Sequence, residues 1–206
     1  VTETKPLTRG ESRRQAMLAA ATELFLEKGF EHTTLSDIVS RSKGSRSTLY
    51  EQFGNKEGLL RAMIEDVTSD IWAVIVPDES PLPFTEEALI TLARRFVTAA
   101  MSPRAVAVFR ILVTEGPRMP EMALFFLERG PRTIERLLAE RFAEALRDRK
   151  TVGTPQQLAQ VFIGGVMGVF HSYKVVGQYT DDIESKMNTH IPTAVRLFLN
   201  GIEETP

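Results

Sequence analysis

Three short helical segments in a row, each with its own polar start signal, constrain this 206-residue chain more than any other feature. Thr34, followed three positions later by Asp37, is a capping-box pattern that opens a helix over residues 35–42. Ser45 caps a second helix over residues 46–53, and Asn55 a third from 56 to about 76. Side-chain oxygens at such places accept hydrogen bonds from amides that the first turn of a helix leaves unpaired. The acids Asp37 and Glu51 bracket a stretch whose only charges are Arg41, Lys43 and Arg46. Two short helices split by a tight turn and carrying positive charge have the shape and sign of an element that enters the major groove of DNA.

Apolar residues recur at helical spacing through most of the remaining sequence, and no segment alternates with a period of two for long. Met17, Ala20, Ala21, Leu24 and Phe25 make the first stripe, Gly29 stops it, and Phe30 can fold back on Phe25. Leu60, Met63, Ile64, Val67, Ile71, Val74 and Ile75 make the buried face of the fourth helix. The prolines of the 77–83 segment (Pro77, Pro81, Pro83) cannot continue that helix and form a fairly stiff joint. Further helices are expected over about 85–101, 104–116, 119–129, 131–149, 155–176 and 183–203. Thr154-Pro155-Gln156-Gln157 is the best marked start and Gly177 the matching stop, while Pro192 implies a kink or a later start in the last helix. The expected fold class is all-α. A domain boundary is expected at the 77–83 segment.

Composition narrows the function classes. The longest apolar run, residues 161–170, has ten residues, three of them glycine, well short of the ~18 needed to span a bilayer. No cysteine is present, so thiolate metal sites, disulfides and cysteine nucleophiles are excluded. The polar start of the chain shows no secretory signal, and a cytoplasmic location with no membrane partner is expected. Residues 1–61 carry ten Lys and Arg against eight Asp and Glu, and residues 62–206 carry fifteen against nineteen. This balance fits a basic reading head on an acidic body.

A helix of eight residues is about 12 Å long, and the major groove is about 12 Å wide. On the 46–53 helix, Leu49 and Phe53 face the protein, leaving Arg46, Ser47, Thr48, Tyr50 and Gln52 for DNA. Arg46 can grip a guanine edge, Thr48 a thymine methyl and Gln52 an adenine. Tyr50, Thr34 and Lys56 are placed as phosphate clamps, and Lys43 and Ser45 complete the candidate DNA-binding set. Capped short helices also occur in proteins that never meet DNA, and Glu51, Arg41 and Lys43 can each be read as solvated charges.

The set Thr33-Thr34, Asp37-Ile38, Ser45, Thr48-Leu49-Tyr50, Phe53, Lys56-Glu57 and Leu59-Leu60 resembles the N-terminal signature of TetR-family repressors. Arg13, Ala20, Leu24, Phe25 and Gly29-Phe30 fit the preceding helix of that family. The motif covers about 50 of the 206 residues. The resemblance implies an all-helical homodimer in which a DNA-binding head over residues 1–55 is linked by helix four (56–76) to a larger domain over 77–206 that binds a small ligand and the partner subunit. Two departures stand out. The family usually has glycine and then an apolar residue in the turn, where this chain has Lys43 and then Gly44. Either Lys43 is left-handed, at a cost of ~1–2 kcal/mol, or the turn shifts so that Gly44 takes that conformation. Ser47 replaces another common glycine and adds a hydroxyl near the phosphates. Arg110, Glu115, Pro120-Glu121, Gly130-Pro131 and the long helix after them are more loosely similar to the AefR-like branch.

The body is dense in aromatic and methionine side chains, which serve equally as plain core. The resemblance implies an apolar cavity among them, with ligand-binding candidates Phe96, Met101, Phe109, Arg110, Leu112, Glu115, Phe125, Phe126, Phe162, Val166 and Phe170. Arg110 and Glu115, if buried, need each other or a ligand's polar group. Gly164, Gly165 and Gly168 lack a preceding strand, so a phosphate loop is excluded, and small residues at this spacing allow close helix approach. Gly164, Met167 and His171, with Ile191, Val195, Phe198, Leu199 and Ile202 of the last helix, are the candidate dimer interface. No catalytic constellation, metal site or cofactor motif is found, because His32, His171 and His190 lie on separate segments. The expected function is a dimeric repressor that binds a palindromic double-stranded operator and is released by a lipophilic small-molecule effector. The alternatives are an enzyme, or a helical DNA-binding or adaptor protein without an effector.

Overall fold

The computed structural model describes residues 8–76 and 82–202. Most of the proline-rich joint (Pro77, Asp78, Glu79, Ser80 and Pro81) lies outside the described residues, as does the polar 1–7 segment. Among the described residues the chain forms eleven α-helices and one π-turn, with no strand.

Helix α1 (Arg9–Lys28) opens on a full capping box between Thr8 and Glu11. It ends at Gly29, whose φ of 81° and ψ of 164° lie in a region essentially reserved for glycine. Phe30 then folds back so that its ring centre is 5.1 Å from that of Phe25. Helices α2 (Leu35–Ser42), α3 (Arg46–Phe53) and α4 (Lys56–Ile75) start at Thr34, Ser45 and Asn55, each of which accepts a first-turn amide through its side chain. Leu18, Leu24, Ile38, Leu49, Leu59 and Leu60 close a small core among these four helices.

Helices α5 (Glu86–Ala100), α6 (Pro103–Glu115), α7 (Pro120–Leu127), α8 (Thr133–Ala145), α9 (Pro155–Met167), α10 (Phe170–Val175) and α11 (Asp181–Gly201) build the body. Three of its boundaries depart from the sequence reading. The 119–129 and 131–149 segments are continuous, because a π-turn (Glu128–Arg132) joins α7 to α8. Pro131 sits inside that wider turn, where the missing amide is tolerated better than in an α-helix. The 155–176 segment is two helices, broken at Gly168, whose φ is 51°. A stripe of apolar residues cannot reveal that break, since glycine is also tolerated inside helices. The last helix starts earlier than expected, on the Thr180 cap, and continues through Pro192.

The deepest part of the body is an aromatic cluster. Phe142, fully buried on α8, has Phe84, Phe162 and Phe198 around it at ring-centre distances of 5.4, 5.6 and 5.6 Å. Head and body meet along α4, and charge pairs span the junction. Asp66 of α4 pairs with Arg14 of α1 at 3.1 Å and with Arg104 of α6 at 3.8 Å. Arg118, after α6, reaches Glu31 of the head at 3.3 Å and Glu115 at 3.5 Å. Phe142→Ala removes the centre of the aromatic cluster and is expected to cost ~3–5 kcal/mol, read as a lower urea midpoint at unchanged helicity before the transition.

Candidate nucleic-acid interface and buried cavity

The turn between α2 and α3 resolves the first departure noted in the sequence. Lys43 is the only non-glycine described residue with positive φ (51°, ψ 31°), so it takes the left-handed place. Its amide donates to Ser40 O and the Gly44 amide to Val39 O at 3.1 Å, the paired bonds of a Schellman motif. Gly44 lies close to the tip of an α1 side chain. A Cβ there would stand 2.4 Å from Met17 Cε, so the α1 methionine occupies the space that an apolar side chain after the turn would fill. At the other end of α2, the Thr34 amide donates to Asp37 at 3.0 Å and the Asp37 amide to Thr34 Oγ1 at 3.1 Å. The Thr34 amide and hydroxyl, then Lys28 at 3.6 Å, hold the Asp37 carboxyl below its ordinary range. The box is therefore complete at neutral pH and is lost only as the pH falls through that lowered value.

Helix α3 divides cleanly. Leu49 and Phe53 are buried, while Arg46, Ser47, Tyr50, Glu51 and Gln52 are exposed and Thr48 is half-buried. Arg46 donates one hydrogen bond to Ser36 Oγ at 2.8 Å, which lays the guanidinium across the start of α2 with other donors to spare. Ser45 Oγ lies 2.9 Å from Ser47 Oγ and 2.8 Å from Thr48 Oγ1. Beside the turn is a groove of about 370 Å³, bounded by Ser12, Arg13, Lys43, Ser45 and Thr48. Ser12 and Arg13 were not among the candidate site residues, because thirty residues separate them from the turn they flank.

Two of the expected phosphate clamps have other duties. The Lys56 ammonium donates to the carbonyls of Phe30, Glu31 and Thr33 at 2.8, 3.2 and 3.2 Å and lies 4.5 Å from the Phe30 ring centre. Its three protons are directed at the α1–α2 connection, so in this structure it holds the head together. The Thr34 hydroxyl gives its proton to Asp37 Oδ2 at 2.9 Å and has none left to donate. Arg41 is likewise drawn inward, paired with Glu23 and Glu27 of α1 at 3.1 and 2.9 Å. Lys43 and Arg46 remain as the outward cations of the turn.

In the body, a cavity of about 190 Å³ lies where α4 to α10 converge. Phe96, Phe109 and Phe126 line it, as do Val67, Thr68 and Ile71 of α4, Ala100, Ala105, Gly130, Pro131, Ile134, Met167 and His171. The other ligand candidates lie elsewhere. Arg110 donates to the Val175 and Lys174 carbonyls at 2.5 and 3.1 Å, closing the C-terminal end of α10. Glu115 pairs with Arg118, and Phe125 lies under the Arg61 guanidinium at 3.8 Å. Phe162 belongs to the aromatic cluster, Phe170 stacks on His190, and Met101, Leu112 and Val166 are plain core. Within the cavity wall, the Thr68 hydroxyl is committed to Ile64 O at 2.8 Å. His171 is set edge-on to Phe109 at 4.7 Å, and burial holds its pKa below the ordinary histidine value, so the imidazole is neutral at pH 7.

The dimer candidates need the largest correction. Ile191, Val195, Phe198 and Ile202 are buried within their own subunit, Leu199 is half-buried against the same core, and Met167 and His171 face the cavity. Gly164 alone is exposed, with open space where a Cβ would stand. The opposite stripe of α11 faces outward. There Leu197 is 69% exposed, and with Thr193, Ala194 and His190 it faces Val161 (62% exposed) and Gly165 of α9 across a shallow groove. His190 Nε2 and Gly165 O are 2.6 Å apart, tying the two helices. Among the described residues, no three His, Asp or Glu side chains converge as metal ligands, and no single helix is long and apolar enough to cross a membrane.

Lys56→Met is expected to lower the stability of the free protein by ~1–3 kcal/mol, measured by thermal denaturation without DNA. A pure phosphate contact would leave that melt unchanged. Lys43→Gly should raise stability by ~0.5–1 kcal/mol in urea titration, since relief of the left-handed strain exceeds glycine's greater unfolded-state freedom.

Residues 17–63 match the family model for bacterial regulatory proteins of the tetR family. Residues 87–201 match the C-terminal domain of AefR-like transcriptional repressors. The HTH-type transcriptional repressor ComR of Escherichia coli (strain K12) is 44% identical over 52 residues, 25% of this chain and 25% of ComR. Matches to the first curated relatives thus span a quarter to about two fifths of their length. The crystal structure of a TetR-family transcriptional regulator from Mesorhizobium loti superposes over 96% of this chain and 100% of that one, with a TM-score of 0.79 at 23% identity. The flavonoid-responsive regulator FrrA superposes over 94% of this chain and 98% of its own, with a TM-score of 0.69 at 28% identity.

Proposed function

The chain belongs to the TetR family of bacterial regulatory proteins, and from that premise we propose that it is a transcriptional repressor acting as a homodimer on a palindromic operator. The observation that carries this reading is the two-sided α3, anchored by Leu49 and Phe53 and presenting Arg46, Ser47, Tyr50 and Gln52 outward. Residues 1–55 serve as the DNA head, α4 as the link, and the 77–206 part as the effector-binding and dimerisation domain. The outer face of α9 and α11, around Val161, Ala194 and Leu197, pairs with its twofold mate in a four-helix bundle. Two heads in one dimer then reach successive major grooves ~34 Å apart. A small molecule in the body cavity releases DNA by preferring a dimer whose heads are spaced differently, since equal affinity for both states would shift nothing. FrrA, by its name, answers to a small molecule, which supports an effector-responsive reading. The protein works in the cytoplasm, beside its DNA, and no step of this mechanism calls for a catalytic group.

Selection of bound fragments from genomic DNA by the purified protein, at two salt concentrations, tests this reading. One shared palindrome is expected; random fragments with a steep loss of binding in salt would defeat it. Arg46→Ala should weaken operator binding by ~1–3 kcal/mol and relax the preference at one base pair, read by gel shift across single-base operator variants. Leu197→Glu should convert the dimer to a monomer in sedimentation and abolish operator binding, while leaving the helix content of each subunit intact.

A further inference from the structure

The wall of the body cavity is specific enough to name the chemistry of its occupant, an inference that rests on the effector-released reading above. Three observations bear on it. First, among the described residues no charged side chain lines the space, so an ionised carboxylate, phosphate or ammonium would lie against an apolar wall without a charged partner. Second, among the described residues the wall side chains that carry a nitrogen or oxygen atom are Thr68 and His171. The Thr68 proton is taken by the Ile64 carbonyl, whereas the half-buried, neutral His171 imidazole meets the edge of Phe109 and makes no hydrogen bond to another described residue. Third, the volume of about 190 Å³ is small. An apolar cavity of ~150 Å³ holds benzene, so this one takes a single substituted ring and not a fused three-ring molecule. Phe96, Phe109 and Phe126 offer ring edges and faces to such a ring.

We infer that the effector is an uncharged monocyclic phenol, held by packing in the cavity and by one hydrogen bond between its hydroxyl and His171. A long-chain acid fails on charge and length, and a purely aliphatic compound leaves the imidazole unpaired. His171 is then the residue that distinguishes a phenol from the bare hydrocarbon of the same shape.

Calorimetric titration of the intact dimer with three matched probes tests the assignment at pH 7: 4-ethylphenol, ethylbenzene and 4-hydroxybenzoate. The single tryptophan, Trp72, lies one turn beyond Thr68 and stacks under Arg129 beside the π-turn, so its fluorescence gives a second readout. The expected order is 4-ethylphenol tightest, ethylbenzene up to about tenfold weaker, and 4-hydroxybenzoate at least about a hundredfold weaker. His171→Phe should erase the preference for the phenol over ethylbenzene while ethylbenzene still binds. His171→Gln, which keeps a donor and an acceptor, should restore part of that preference. Ala100→Leu, which fills the cavity, should abolish binding of both neutral probes at unchanged helicity.

Equal binding of 4-hydroxybenzoate, a phenol preference that survives His171→Phe, or no heat from any probe would overturn the assignment. Fragment selection on the same preparation separates the two readings. An operator recovered without phenol binding leaves the repressor standing and removes its phenol. Phenol binding without an operator does the reverse.

Discussion

Helix α4 is buried at both of its ends, and the rest of the molecule is arranged around that fact. Over 20 residues, about 30 Å, it gives Leu59 and Leu60 to the head core and Val67, Ile71 and Ile75 to the body. Its first residue, Lys56, grips three carbonyls of the α1–α2 connection. Its middle, Val67, Thr68 and Ile71, is one wall of the cavity. The cavity wall and the loop that precedes α2 are thus joined by one continuous hydrogen-bonded helix. The charge pairs through Asp66, together with the Glu31–Arg118 contact, add further links between α1, the head loop and α6. These partly exposed pairs contribute little stability individually, and they serve better as markers of alignment than as anchors.

The reading head illustrates how one local compromise is accommodated by packing. A lysine in left-handed geometry is unfavourable, and the next position, a glycine, would have taken that conformation at less cost. Gly44 is exposed and approaches the flexible tip of Met17. The positive φ is taken by Lys43, and the Schellman bonds to Val39 and Ser40 stabilise it there. The ammonium-bearing side chain is thereby turned out beside Ser12, Arg13 and Ser45.

The parts of the fold legible in the sequence were those governed by neighbours within four residues. Caps at Thr34, Ser45, Asn55 and Thr154 are satisfied by local amides, and the head helices begin where those residues stand. The exposed side of α3 followed from Leu49 and Phe53 four apart. The carbonyl partners of Lys56 were not legible because they lie 23 to 26 residues away, and a lysine at a helix start has the same local appearance whether it meets a phosphate or a carbonyl. Arg110 and Glu115 were misjudged for the same reason, each being satisfied by groups that no spacing rule connects to it.

The amino-acid sequence by itself determined that the chain is helical, where its head helices start, and that a short two-faced helix begins at residue 46, because hydrogen-bond caps and the 3.6-residue period act over a single turn. Only the tertiary structure decided which stripe of α11 is core and which is outer face, and which aromatic residues enclose space instead of filling it. Ile191 and Leu197 are both apolar and lie on the same helix; their opposite fates depend on where α5 and α9 pack against it. A cavity, likewise, is a place where packed helices fail to meet, and that is a property of their arrangement in space and of no one segment.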